Sequence, residues 1–347
     1  MRHDPVGSPQ PPRSSRRLRA RVFVAAAAGL AVATAAGCSS AATMGGTVSG
    51  TITIAASPGI DSAPLYLAQK NGDLAAAGLS HVDIKSYPSE SAALNALHTG
   101  QANIAASDYG DIFHAQSLGA DLRVLADGYD AAPGVVEILA LPGTITSPAQ
   151  LQGQPIGVPD DQAVVPGSGH PVSLETAAAT QVLTDFLGNG AMAMNWQQMP
   201  AQQEITALRQ GRVAAILVTE PYIFEAQSQL GAVEVLDAYS GSTAGLPLTG
   251  YVATNTWVKG NGAAVADFQA AIGNALSQSA MTGQVQQVLP KTTGMTVSDA
   301  DLATIGTYPT STSITGLERV VRLLATYNLV PLNKAPSVPP MIVKPGS

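Results

Sequence analysis

From residue 51 onward the chain alternates short apolar runs with longer stretches whose apolar positions recur every three to four residues. The run Thr51-Ile52-Thr53-Ile54-Ala55 predicts a strand. A polar loop, Ser57 to Ser62, then leads to a helix with Pro64 in its first turn and Gly72 at its end. Residues 82–87 predict a second strand. A helix follows Ser89-Glu90-Ser91, with Leu94 and Leu97 on one face and Gly100 as its stop. Residues 102–106 predict a third strand, and Ser107-Asp108 begin another helix. Further strands are expected at 123–126, 135–141, 156–158, 213–218 and 233–236. Short strands alternating with helices of 10–15 residues indicate α/β layers. Beyond residue 262 strands become scarce: 263–282 and 317–327 read as helices, and 335–347, with four prolines and no period, reads as a surface tail.

The N-terminus has a different pattern. Arg16, Arg17, Arg19 and Arg21 precede an apolar stretch at 22–36, which is shorter than the roughly 20 residues a bilayer span needs. A basic segment, a short apolar segment and small residues after it form a secretory signal. Ala35-Ala36-Gly37-Cys38 resembles a bacterial lipobox, in which cleavage precedes the cysteine and its sulfur receives a diacylglycerol. Cys38 is the chain's one cysteine. The expectation is a signal peptide over 1–37, a lipidated tether over 38–50, and a mature chain anchored on the extracytoplasmic face of the membrane.

Composition narrows the function classes. Hydrophobic residues make up 46% and charged residues 12%, so the chain is built to fold. Six of the eleven arginines lie before Val22, and beyond Cys38 acids outnumber bases about two to one. That balance argues against nucleic-acid binding, which needs a basic footprint. His81, His98, His114 and His170 form no paired ligand motif. No nucleotide loop or GxSxG elbow is present, and the lone cysteine is committed to the tether. No cofactor, no metal and no enzymatic activity are expected.

Four segments carry a family resemblance. Ala63-Pro64-Leu65-Tyr66-Leu67-Ala68-Gln69-Lys70-Asn71-Gly72, continued by Ala77-Gly78-Leu79, is similar to the first helix of the nitrate, sulfonate, taurine and thiamine-pyrimidine group of ABC substrate-binding proteins. Ala93 to Ala105, Ser147 to Val158, and Ala207 to Ala215 followed by Thr219-Glu220-Pro221-Tyr222 match later motifs of that group in order. Asn103 stands where the group usually has aspartate, and Pro155 where it usually has lysine. The resemblance implies a two-lobed periplasmic-binding-protein-like (type II) fold with two interlobe crossovers, placed near 140–143 and 247–252. Lobe one would be 51–140 plus 251–330, lobe two 141–250, and 331–347 a tail. It further implies a monomer that captures a small molecule in the interlobe cleft and delivers it to ABC permease subunits. The alternative is a ligand-sensing lipoprotein presenting its closed form to a membrane receptor.

Candidate ligand contacts lie where strands run into helices. Ser57, Asp61 and Ser62 precede the first helix, with helix capping as their alternative role. Ser107 and Asp108 open a later helix, and Tyr109 beside them offers a ring for stacking. Glu220 ends an apolar strand, with Tyr222 after it, and Tyr251 is a further candidate. Trp196 and Trp257 are expected in the core. The segment 159–173, containing Asp160, Asp161 and His170, is either a lid or a surface loop. The loops assigned to the cleft contain Glu90, Asp108, Asp111, Asp130, Asp160, Asp161, Glu175 and Glu220, with Tyr87, Tyr109, Tyr129, Tyr222 and Tyr251, and no Lys or Arg. That chemistry favours a cationic or neutral ring ligand over an oxyanion.

Overall fold

The short apolar runs become the strands of two five-stranded sheets, in a computed structural model that describes residues 50–159, 173–188 and 194–345. The signal segment, Cys38, nearly all of the tether and most of the 159–173 segment lie outside the described residues. The first sheet contains β1 (Ile52–Ala56), β2 (Val82–Ser86), β3 (Ile104–Asp108) and β4 (Leu122–Asp130). The second contains β5 (Glu137–Ala140), β6 (Pro155–Pro159), β7 (Asn195–Met199), β8 (Ala215–Val218) and β9 (Val233–Asp237). The chain then returns to the first sheet as β10 (Pro247–Thr254). The strand orders are β2-β1-β3-β10-β4 and β7-β6-β8-β5-β9. In each sheet three parallel strands lie beside one antiparallel strand, β10 or β5, which is the first strand after a passage between sheets.

The passages fall earlier than the sequence suggests. Residues 137–140 pair with β8 and β9, so the first passage is 131–136 rather than 140–143. Residues 247–252 lie inside β10, so the return is 238–246. The sequence pattern misses β10 because Pro247 and Gly250 resemble a loop. It misses β7, Asn-Trp-Gln-Gln-Met, because an edge strand needs little apolar character.

Parallel strands require crossovers, and here these are helices whose N-termini meet the carboxyl ends of the strands. Side chains close several of those ends: Ser89 accepts from Ala92 N, Asp108 from Asp111 N, and Ser173 from Thr176 N. At the other end of the first helix, Ala63–Asn71, Gly72 has φ 76°, a left-handed cap that suits glycine. Asn103, in place of the usual aspartate, accepts the Thr53 N–H through its side-chain oxygen at 2.8 Å, so the amide provides the same acceptor. Ile54, Ile104 and Val252 fill the first sheet's core, and Leu139, Ile216 and Val218 fill part of the second's.

The C-terminal segment is not a surface tail. Val338 and Met341 are buried, Ile342 bridges Val124, and Val343 N donates to Val124 O at 2.9 Å. Prolines remove periodicity without preventing burial.

Candidate ligand-binding cleft

The strand-to-helix turns of the two sheets face one another across a cleft of about 450 Å³. Among the described residues, each turn contributes one carboxyl side chain to its lining. Asp61 follows β1, Glu90 follows β2 and Asp108 ends β3; Glu175, Glu204 and Glu220 follow β6, β7 and β8. Among the described residues, no Lys, Arg or His lines the cleft. Its apolar wall includes Ile60, Val135, Val136, Val218 and Leu248, with the tyrosines Tyr129 and Tyr222.

The pattern has a local cause. A helix N-terminus carries unpaired N–H groups and partial positive charge, which favour an acid in or just before the first turn. Asp108 Oδ1 accepts Asp111 N at 2.9 Å, and Glu220 Oε2 accepts Phe224 N at 3.1 Å. The other Glu220 oxygen accepts Thr304 N at 3.2 Å, joining the end of β8 to a segment held against β4 by the Asp130–Thr307 bridge. Glu220 therefore ties the second sheet to the first while lining the cleft. The Glu220–Pro221 peptide is cis.

Burial dominates the electrostatics. Removal from water raises the Glu90 carboxyl well above its usual range, with Asp61, Asp108 and Glu175 adding repulsion. Burial likewise raises Asp61, and raises Asp108 strongly with help from Asp111 and Glu175. Glu220 is raised by burial, partly offset by the N–H groups of Thr304 and Phe224.

The sequence candidates divide. Ser57, Asp61, Asp108, Glu220 and Tyr222 line the cleft; Ser62, Ser107, Tyr109 and Tyr251 do not. Ser62 is buried and donates to Asp61, and Ser107 is buried and donates to Glu90 O at 3.3 Å. Tyr109 cannot stack on a ligand in this structure, because it is fully buried, donates to Asp127 and stacks on Phe113 with centroids 5.5 Å apart. Its ring fits only because residue 250 is glycine: a Cβ there would stand 2.4 Å from the Tyr109 hydroxyl oxygen. Tyr251 is also buried and meets Phe268 edge-on. Of the other loop residues, Asp111, Asp130 and Tyr87 stand outside the lining. Trp196 and Trp257 are partly buried against the core.

Sequence reading did not single out Glu204, which stands in the first turn of its helix after a polar edge strand and is fully buried. Among the described residues, no group of His, Cys, Asp and Glu is arranged to hold a metal ion. No described helix is long and apolar enough to cross a membrane.

Solved structures share this architecture. The alkanesulfonate-binding protein SsuA from Xanthomonas axonopodis pv. citri, bound to MOPS, superposes with a TM-score of 0.66 at 15% identity, over 84% of this chain and 98% of that one. A ligand-binding component of an ABC-type import system from Staphylococcus aureus, with zinc bound, gives 0.68 at 14% identity, over 85% and 96%. The periplasmic nitrate-binding protein NrtA from Synechocystis gives 0.65 at 14% identity, over 84% and 86%. These likenesses establish the two-lobed binding-protein fold. No curated protein sequence matches the chain. The family model described as NMT1/THI5 like matches residues 60–282, and the chain belongs to that family.

Proposed function

We propose that this protein is an extracytoplasmic solute-binding protein that captures a small organic cation between its lobes and delivers it to an ABC importer. The fold similarity to an import-system component and to binding proteins for alkanesulfonate and nitrate supports capture and delivery rather than catalysis. One observation carries the ligand class: among the described residues, six carboxyl side chains and no basic side chain line the cleft. An oxyanion would meet repulsion from several sides. The helix N-termini that would otherwise receive it are partly occupied by the protein's own oxygens, from Ser89, Asp108, Ser173 and Glu220. An ammonium or guanidinium group brings the N–H donors that carboxylates need. Tyr129, Tyr222 and the aliphatic wall suit an apolar body or a ring attached to it.

A thermal-shift panel tests the class: benzylammonium, agmatine and choline against nitrate and ethanesulfonate. Stabilisation by a cation and none by the anions is the expected result. Stabilisation by an anion alone refutes the cationic reading.

Attachment to the membrane through a lipid on Cys38 belongs to the same proposal. Its support is the basic and apolar leader and the chain's one cysteine directly after it. Cys38→Ala should leave an uncleaved, lipid-free precursor. Normal membrane retention with an unchanged intact mass would refute the anchor.

A further inference from the structure

Two hydroxyl groups in the cleft are held in place with a proton left to donate. Tyr129, on β4, and Thr249, on β10, both line the cleft, and each is only 6% exposed. They are partners in the β4–β10 register, so their side chains emerge side by side from one face of the first sheet, with Cβ atoms about 5 Å apart. The Tyr129 ring is fixed on two sides. It packs on Tyr308 with centroids 5.2 Å apart, and the Tyr308 hydroxyl is itself anchored on Ile60 O at 2.8 Å. Gly306 N donates to the Tyr129 oxygen at 2.5 Å. That approach needs glycine, because a Cβ at residue 306 would stand 2.7 Å from Tyr129 Cζ and 2.9 Å from its oxygen. A phenol oxygen that accepts on one side keeps its own proton for a partner on the other. Among the described residues that proton has no acceptor, and neither has the Thr249 hydroxyl. Glu220 is tied to the same segment two residues earlier, and each of its oxygens already accepts a backbone N–H, from Thr304 or Phe224. The amides of Thr304 and Gly306 are at most about 7 Å apart, so one small molecule can reach both Glu220 and Tyr129.

We infer that the captured cation also bears a neutral hydrogen-bond acceptor, an ether, ketone or amide oxygen on its apolar body, and that the Tyr129 and Thr249 hydroxyls recognise it. The inference rests on the cationic reading above and narrows it. The acceptor is neutral because an ionised one would be repelled by the carboxyl groups around it. A cation without an acceptor displaces water from both hydroxyls and leaves two buried donors unpaired, so the site discriminates against it. The rigid seat of the phenol sharpens that choice, since the donor is in position before the ligand arrives.

Calorimetry with two pairs of isosteres tests the inference. In the first pair, 3-methoxypropylammonium and pentylammonium differ by an ether oxygen in place of a methylene. In the second, 4-acetylbenzylammonium and 4-isopropenylbenzylammonium differ by a carbonyl oxygen in place of a =CH2 group. In at least one pair the oxygen-bearing cation should bind about threefold to tenfold more tightly. Tyr129→Phe and Thr249→Val should each bring that ratio toward one. A purely structural role, such as the support Tyr129 gives Gly306 N, would weaken both members of a pair alike and leave the ratio unchanged. If Tyr129→Phe does not fold, the ratio in Thr249→Val decides. Equal affinity within both pairs, or a preference that persists in the variants, overturns the acceptor inference and leaves the cationic reading standing. Binding of the neutral 4′-methylacetophenone as tightly as its ammonium counterpart overturns the cationic reading. Failure of all the ammonium probes to bind at millimolar concentration overturns both.

Discussion

At the scale of single residues, position after a strand reveals more than residue type. Asp108 and Glu220 are legible as cleft candidates because an acid just after an apolar run lies at the carboxyl end of a strand, where a helix N-terminus attracts it, and Asp61 because it stands in the loop between a strand and a helix. Tyr109 occupies an equally favourable place in sequence, yet its ring turns inward to Asp127. The side of the junction that an aromatic takes depends on what lies across the sheet, here Gly250, about 140 residues later in the chain. Glu220 shows a second limit. Its location at the cleft is readable, but its bond to Thr304 is not, since that segment has no recognisable motif. Glu220→Ala removes the acceptor for both Phe224 N and Thr304 N. Hydrogen bonds to a charged group contribute about 1.5–3 kcal/mol, so a stability loss of that order is expected. Urea denaturation measures it, and faster amide exchange near residue 304 should accompany it. A variant as stable as the parent would show that Glu220 does not tie the sheets together.

At the scale of elements, the inner parallel strands β1, β3, β6 and β8 are the most legible part of the fold because burial on both faces demands continuous apolar runs. The edge strand β7 and the proline-bearing β10 are concealed for the opposite reason, since pairing rather than composition holds them. The C-terminal segment is the clearest case. Gln269 Nε2 donates to Leu125 O at 2.8 Å and to Val343 O at 2.9 Å, fastening that segment to β4 through the helix Gly262–Ser279. Met341, 2% exposed, plugs the contact. Met341→Ala should lower stability by about 2–4 kcal/mol, within the range for truncating a buried side chain. A change below about 0.5 kcal/mol, the usual size of a surface substitution, would return the segment to the status of a tail.

At the scale of the whole molecule, the carboxyl groups make stability depend on pH in an unusual direction. Acid usually unfolds proteins because native carboxylates are held ionised by partners they lose on protonation. Here burial acts the other way: Asp127 is raised to about 6, and Asp130 and Glu137 to about 7. Asp61, Glu90, Asp108 and Glu220 are raised as well. Unfolded, these groups titrate near 4. Between about pH 4 and 7 the folded chain therefore holds more protons than the unfolded one, and raising the pH costs stability by about 1.4 kcal/mol per pH unit for each excess proton. The ion pair Arg123–Asp121 lies near the surface and contributes little in the opposite sense. The melting temperature should be highest in mild acid and fall steadily toward neutral pH, then level off once the folded groups have ionised. Adding a bound cation at neutral pH should recover part of the loss, because it replaces in the cleft the positive charge that protons supply in acid. Thermal melts across this range, with and without agmatine, measure both effects. A melting temperature that rises from mild acid to neutral pH in the empty protein would mean that these carboxyl groups are ionised and compensated, and the cleft would have no need of a cation.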